Sequence, residues 1–69
     1  MTLGWEEGFS IRVGVSGNTV VLSANKEGLL SLARQLIALS EETPGSHLHY
    51  DKNNSLEEDS SDLVVELMN

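Results

Sequence analysis

The stretch FSIRVGVSGNTVVLSA, residues 9–24, decides the fold of this chain. Apolar residues alternate with polar or small ones over residues 9–15, which is the period of a strand with one buried face. A second strand is expected over residues 19–24. Between the two, Gly17 and Asn18 supply the positive backbone φ that a two-residue hairpin turn requires. The stretch therefore predicts a β-hairpin.

The turn also determines the register of this hairpin. With Ser16 opposite Thr19, counting outward along both strands pairs apolar residues with each other. The turn and the hydrophobic pattern thus select the same register. The predicted pairs are Val15 with Val20, Val13 with Leu22, and Ile11 with Ala24.

A helix is predicted after the hairpin. Asn25 is a favourable N-cap residue, and Glu27 places a carboxylate in the first turn, where the helix dipole stabilises it. Pro44 and Gly45 cannot continue a helix, so we expect this one to end between residues 39 and 42. Its apolar face is formed by Leu29, Leu32, Ala33, Leu36, Ile37 and Leu39, with Ser31, Arg34, Gln35 and Ser40 largely on the opposite side.

Two more strands are predicted at residues 46–50 and 63–68, separated by a polar loop at residues 51–62. Leu56, an apolar residue within this loop, is expected to fill a gap in the core. The element order is ββαββ. The expected fold class is α+β, with a four-stranded antiparallel sheet in the order 2-1-3-4 and one helix packed on one face.

The 69 residues are expected to form a single small domain, in which residues 1–8 and the loop 51–62 are less ordered than the rest. The predicted core is small, so dimerisation or a bound partner is expected to add stability. This core consists of Phe9, Ile11, Val13, Val15, Val20, Leu22, Leu29, Leu32, Leu36, Leu48, Val65 and Leu67.

The charge balance limits the possible partners. Eleven acidic side chains against four Lys or Arg give a formal net charge of -7, and the chain has no cysteine. This charge argues against binding to nucleic acid or to an anionic membrane and favours a basic protein partner. No apolar stretch approaches the roughly 20 residues of a membrane span, and residues 1–7 lack signal-peptide features. We therefore expect a soluble cytoplasmic protein.

Two histidines on the predicted third strand raise the possibility of a metal site. His47 and His49 are two residues apart, so their imidazoles point to the same side of the strand. A transition metal normally takes at least a third protein ligand, and the sequence identifies none, although Glu66 or Asp51 could approach. The pattern favours a pair of surface histidines over a metal site.

The acidic loop partly matches a calcium-binding loop. Counted from Asp51, oxygen-bearing side chains fall at the first, third, fifth, seventh, ninth and twelfth positions. However, Leu56 stands where the calcium loop has Gly, Asp62 replaces the longer bidentate Glu, and the flanks are predicted strands rather than helices. A solvated acidic loop is favoured, and we predict no metal and no cofactor.

Enzyme activity is not expected. Ser46, His47 and Asp51 can be combined into a triad on paper, but no nucleophile elbow or oxyanion motif accompanies them. The glycines at residues 14 and 17 lie in a hairpin rather than at a strand-to-helix turn, so they do not form a phosphate-binding loop. General acid–base catalysis by two carboxylates requires a cleft that moves their pKa values apart. A domain with a single helix has little room for such a cleft.

The candidate partner-binding surface combines the acidic loop with the sheet face that the helix leaves uncovered. The carboxylates would steer the capture of a positively charged protein. Apolar residues make the uncovered face more adhesive than a solvated face. The candidate binding residues are Glu57, Glu58, Asp59, Asp62, Val21, Val64, Glu66, Met68, His47 and His49.

Four segments carry a family resemblance: LSANKEGLLSLA at residues 22–33, GSHLHYD at 45–51, NSLE at 54–57 and LVVE at 63–66. From about Phe9 to Glu66, the chain resembles small bacterial proteins grouped as immunity protein 32. Asp59-Ser60 stands where Gly-Ser is expected in the similar proteins, a difference that bears on the turn of the loop. The resemblance carries over no individual binding residue.

The resemblance implies a role in a polymorphic-toxin system, in which a small protein encoded beside a secreted toxin protects the producing cell. Nuclease toxin domains are commonly basic, so we expect a non-catalytic inhibitor that covers a basic toxin's substrate surface. Two alternatives remain open. One is a metal-binding or metal-sensing domain that uses His47 and His49, and the other is a homodimeric structural module that buries its uncovered sheet face against its twin.

Overall fold

The computed structural model of the chain describes residues 4–69. It contains β1 (Ile11–Ser16), β2 (Thr19–Ala24), α1 (Lys26–Ser40), β3 (His47–Tyr50) and β4 (Leu63–Glu66). This order confirms the ββαββ prediction and the α+β class. Residues 1–3, part of the segment for which we expect weaker order, lie outside the described residues. Among residues 4–69, no helix is long and apolar enough to cross a membrane.

The first hairpin has the predicted register. Strands β1 and β2 pair antiparallel, with Ser16 opposite Thr19 at the turn and Ile11 opposite Ala24 at the base. Of the two turn residues predicted to supply a positive φ, Gly17 does so with a φ of 60°, whereas Asn18 does not. A two-residue turn with Gly at its first central position needs positive φ only there. Because side chains alternate across a strand, Ile11, Val13 and their partners on β2 share one face of this hairpin.

The helix begins at the predicted cap. The side-chain oxygen Oδ1 of Asn25 accepts a hydrogen bond from the backbone N–H of Gly28 at 2.8 Å. The same oxygen accepts a bond from the N–H of Ser10 at 3.0 Å, and Asn25 Nδ2 donates to the carbonyl of Gly8. One asparagine therefore caps α1 and ties it to the residues before β1. The helix ends at Ser40, within the predicted limits.

The predicted four-stranded sheet is wrong. The structure has two separate two-stranded sheets, β1 with β2 and β3 with β4. The outer edge of β1 is occupied by the loop, because the carbonyls of Ile11 and Val13 accept hydrogen bonds from the N–H groups of Glu57 and Ser61. The N–H of Val13 donates to the hydroxyl of Ser60. These bonds fill the edge at which β3 was expected to pair.

The core is smaller than predicted. Among the described residues, the buried hydrophobic side chains are Ile11, Val13, Leu32, Leu39, Leu48, Tyr50 and Leu56. The burial of Leu56 confirms the prediction that this loop residue packs into the core. Phe9, Val65 and Leu67 are only partly buried, and five predicted core residues are exposed: Val15, Val20, Leu22, Leu29 and Leu36.

The position of α1 explains these exposed residues. A Cβ placed on Gly28 would lie 2.9 Å from Ile11 Cγ1 and 3.1 Å from the Cβ of Ala24, so the start of the helix packs directly on the base of the first hairpin. The turn end of the hairpin is not covered, and Val15 and Val20 there are each 62% exposed.

Two helix residues predicted to lie on the polar side are buried. Gln35 Oε1 accepts a hydrogen bond from the Tyr50 hydroxyl, and its Nε2 donates to the carbonyl of Gly4, both at 2.8 Å. The hydroxyl of Ser31 accepts a bond from the N–H of Glu6 at 2.8 Å. These partners satisfy the buried polar groups and hold residues 4–6 against the helix. Burial raises the pKa of Tyr50, which keeps its hydroxyl protonated as the donor.

Trp5 completes this end of the core. Its ring stacks on Phe9 with centroids 4.3 Å apart and meets the ring of Tyr50 edge-on at 6.1 Å. Both arrangements are favourable for aromatic pairs. The sequence favours packing of Trp5 at one end of the core over an exposed interface anchor, and the structure confirms the packed arrangement.

Replacement of Gly28 by Ala is expected to destabilise the protein by about 1–2 kcal/mol. In an exposed helix this change stabilises by roughly 1 kcal/mol. Here the added Cβ would lie 2.7 Å from the Ser10 carbonyl oxygen, and such overpacking costs typically about 1–3 kcal/mol. The free energy of unfolding from urea titrations measures the change.

Gly14→Ala is the control, because a Cβ at Gly14 meets no atom within 4 Å. We expect its unfolding free energy to stay close to that of the unmodified chain. Equal or higher stability of Gly28→Ala would show that the helix does not pack on the hairpin as described.

Candidate partner-binding surface

The loop at residues 51–62 is built on its own hydrogen bonds. The carboxylate oxygen Oδ1 of Asp51 accepts bonds from the N–H groups of Asn53 and Asn54 at 2.9 and 3.0 Å. Asn54 in turn accepts a bond from the N–H of Asp51 and donates one to the carbonyl of His49. These short-range bonds form the turn through which the chain leaves β3.

The second half of the loop presents its carboxylates outward. Leu56 is buried, and the backbone hydrogen bonds to β1 hold the residues that follow it. The side chains of Glu57, Glu58 and Asp59 are all exposed. Three consecutive carboxylates therefore project from a segment whose backbone is attached to the first hairpin.

Arg12 is paired with the last of these three carboxylates. Its Nε donates to Oδ1 of Asp59 at 2.9 Å, between residues 47 positions apart in the chain. The hydrogen bond from Arg12 lowers the pKa of Asp59, and the same bond raises the pKa of Arg12. Both side chains are exposed, so the pair is weakened by solvent and salt.

The outward face of the second hairpin carries most of the remaining candidate residues. His47 lies opposite Glu66, and His49 lies opposite Val64, so these four side chains share one face. His49 Nε2 is 3.5 Å from Oδ2 of Asp62. All four are exposed, and Met68, after β4, is 82% exposed.

The ten candidate binding residues are all exposed, but they do not lie on one sheet. Nine of them lie on the loop or on the second hairpin and the residues after it, and His49 and Asp62 connect the two parts. Val21 lies on β2, in the other sheet, and pairs with Gly14. The expectation that Val21 continues the face of Val64 rested on the four-stranded sheet, which the structure does not contain.

The loop residues are arranged differently from a calcium site. Four of the six positions with oxygen ligands have partners within the chain. Asp51 accepts backbone N–H groups and Asp59 accepts from Arg12. The Ser55 hydroxyl donates to Asn54, and Asp62 lies 3.5 Å from His49. Within residues 4–69, no group of three or more His, Asp or Glu side chains is arranged to hold a metal ion.

A depression of about 350 Å³ is lined by Gly4, Trp5, Glu6, Arg34 and Gln35. An ion pair between Arg34 and Glu6 closes part of its wall. None of the predicted binding residues lines this depression. The sequence did not predict that the polar helix residues Ser31 and Gln35 are buried and hold the N-terminal segment by hydrogen bonds.

Over the residues that the structure describes, 4–69, the chain is thus a small α+β protein with one helix, two two-stranded sheets and an acidic exposed loop. Residues 19–68 match the model of the family described as Immunity protein 32, and the chain belongs to this family. The match confirms the resemblance seen in the sequence and includes the helix, the loop and the second hairpin. No curated protein and no solved structure matches the chain.

Removal of Arg12 is expected to raise the titration midpoint of Asp59. The Arg12→Gln variant loses the hydrogen bond that lowers the pKa of this carboxyl, so the midpoint should move up toward the ordinary value of 3.8. A carboxyl ¹³C NMR titration measures the shift. Arg34→Gln, which removes the other arginine and its pair with Glu6, should leave the Asp59 midpoint unchanged.

The lowered pKa of Asp59 also determines how the ion pair affects the stability of the fold as the pH changes. Because the pKa of Asp59 is lower in the folded state, the pair stabilises the fold above the unfolded-state pKa of about 4. This contribution is lost as the pH falls through the lowered value. An Asp59 midpoint that does not respond to Arg12→Gln would contradict the ion pair.

Proposed function

We propose that this protein is an immunity-type inhibitor that acts in the cytoplasm, binds a basic toxin domain and covers its substrate surface without catalysing a reaction. The observation that supports this most directly is the row of exposed carboxylates on a segment attached to β1. Membership of the Immunity protein 32 family supplies the immunity-type role. The acidic segment supplies the physical means of binding.

The attachment of the loop favours binding. A loop that is disordered before binding loses conformational entropy when it is held against a partner, and this loss weakens the complex. Here Leu56 is buried and the N–H groups of Glu57 and Ser61 are bonded to β1. The carboxylates of Glu57 and Glu58 therefore belong to a segment whose backbone is already held in place, so less conformational entropy is lost when a partner binds.

Charge would act mainly on the rate of association. A chain with a formal charge of -7 attracts a basic domain over a distance set by the ionic strength. Asp59 already has Arg12 as a partner, so Glu57, Glu58 and Asp62 carry more of this attraction. Such steering speeds encounter and suppresses acidic partners.

The second hairpin would add apolar contact next to the carboxylates. Val64 is 56% exposed, and Met68 also projects into solvent. Methionine side chains adapt to irregular partner surfaces. Interfaces commonly combine such apolar anchors with charged residues at the rim, and His47, His49 and Glu66 are the polar neighbours on this face.

Neutralisation of the acidic loop is expected to weaken toxin binding. The double variant Glu57→Gln and Glu58→Gln should raise the Kd for the neighbouring toxin domain by about tenfold or more at low salt, mostly through slower association. Calorimetry gives the Kd, and stopped-flow fluorescence gives the association rate. The partner is the purified toxin encoded beside this protein.

The matched control is Glu41→Gln with Glu42→Gln. This pair is also adjacent and exposed and also removes two charges, but it lies at the end of α1. We expect its Kd to change much less than that of the loop variant. Equal losses from both pairs would mean that only net charge matters, and the absence of any complex at low salt would overturn the proposed function.

A further inference from the structure

The charges of this protein are distributed unevenly. No charged residue occurs in residues 13–25, and residues 26–40 contain three: Lys26, Glu27 and Arg34. Arg34 is paired with Glu6 of the N-terminal segment. Ten of the eleven acidic residues therefore lie outside β2 and α1, and the turn end of the first hairpin is an uncharged surface.

This uncharged surface is apolar. Val15, Val20 and Leu22 lie on the face of the hairpin that α1 packs against, but beyond the end that the helix covers. Leu29 and Leu36 lie three residues before and four residues after buried Leu32, so they share its side of the helix. We call these five exposed side chains the apolar flank.

Residues 4–6 of the N-terminal segment bind the helix away from the apolar flank. Their hydrogen bonds go to Ser31 and Gln35, on the other side of the buried helix face. Gly28 lies against Ala24, which is two residues from Leu22 on the same hairpin face. The helix therefore starts beside the base of β2, and the turn end of β2 stays uncovered.

The outer edge of β2 carries unpaired backbone groups. In a two-residue hairpin, the backbone groups of the two residues that close the turn hydrogen-bond to each other. Farther along each strand, residues whose N–H and C=O groups point toward the partner strand alternate with residues whose groups point toward the outer edge. On β1 this alternation directs the groups of Ile11 and Val13 outward, where the loop binds them. By the same rule, Val20 and Leu22 direct their N–H and C=O groups outward, and within residues 4–69 no backbone hydrogen bond reaches them.

The edge of β2 also lacks the features that usually prevent strand pairing. Natural edge strands are commonly protected by Lys, by Pro, by a bulge or by a covering loop. The sequence of β2, TVVLSA, has no charge and no proline, and its six residues pair with β1 without a bulge.

We propose that β2 pairs antiparallel with β2 of a second copy of this chain, which brings the two apolar flanks together. The resulting dimer has a continuous four-stranded sheet across its two-fold axis. Val20 and Leu22 supply the backbone hydrogen bonds at the axis, and Leu29 and Leu36 of each copy cover the face beside it. This surface differs from the acidic one that binds the toxin.

A second copy fits this edge better than an acidic or basic partner. An antiparallel strand pair around a two-fold axis is self-complementary, because each N–H of one copy that meets a C=O of the other is matched by the reverse pair across the axis. Two chains of formal charge -7 repel each other elsewhere, but here uncharged residues meet. A basic partner would find no carboxylate on β2 with which to pair.

A stable dimer would cover a substantial part of this small protein. A standard interface buries about 800 Å² on each partner, which is roughly a sixth of the 4783 Å² that this protein exposes. The outer edge of β2 and the five side chains of the apolar flank, which are 38–62% exposed, would form the centre of that interface. Burial would also enlarge a core that is small for an independent domain.

The experiment measures oligomeric state over a dilution series by sedimentation velocity, from about 200 to 1 μM, a range that spans the affinities of transient and moderately stable dimers. We expect a dimer at the upper end. Val20→Glu and, separately, Leu36→Glu should raise the dimer Kd by about a hundredfold or more, because each places like charges at the interface. Both side chains are exposed in the single chain, so circular dichroism should show an unchanged fold.

Val64→Glu is the matched control, since Val64 is as exposed as these residues but lies on β4. It should leave the dimer intact. Amide hydrogen exchange should show that the N–H groups of Val20 and Leu22 are protected at high concentration and lose this protection on dilution.

A monomer at 200 μM would overturn the proposal, even if the edge of β2 then binds another protein. The proposal would also fail if Val64→Glu dissociates the dimer while Val20→Glu does not. A dimer in which the amides of Val20 and Leu22 exchange freely would exclude pairing through this edge. Toxin binding by the Val20→Glu monomer would leave the proposed function intact, so the two proposals can fail independently.

Discussion

The carbonyl groups of Ile11 and Val13 lie on the edge of a strand whose side chains are buried, and the loop supplies their hydrogen-bond donors. A buried backbone carbonyl without a partner is costly, so some segment has to occupy this edge. Residues 57–61 do so because Leu56 is anchored in the core immediately before them. This occupation separates the two sheets and gives the acidic loop a defined position.

The same arrangement divides the surface into two parts of different chemistry. The edge of β1 is covered by a segment rich in carboxylates, whereas β2 and α1 carry almost no charge. Repulsion among carboxylates opposes the folded state unless they are exposed to solvent or paired, and the pairing of Arg12 with Asp59 relieves part of it. A protein this small can therefore present an acidic surface and an apolar surface without mixing them.

Much of the candidate surface could be predicted from the sequence, because charged side chains in a polar loop are exposed in almost any fold. The alternation of His47 and His49 likewise placed them on one face of β3. The pair Arg12–Asp59 could not be predicted, since the partners are 47 positions apart and meet only when the loop lies along β1. The burial of Ser31 and Gln35 was also missed, because it depends on the return of residues 4–6 to the helix.

The sequence by itself determined the local elements: the hairpin with its register, the helix with its Asn25 cap, and the two later strands. Each of these depends on residues that are close in the chain, such as the Gly17-Asn18 turn or the spacing of Leu residues. Only the tertiary structure decided which segment fills the edge of β1 and which apolar residues are covered. Those outcomes depend on competition between distant segments for the same backbone groups and the same buried volume. A local sequence pattern does not indicate which segment will occupy them.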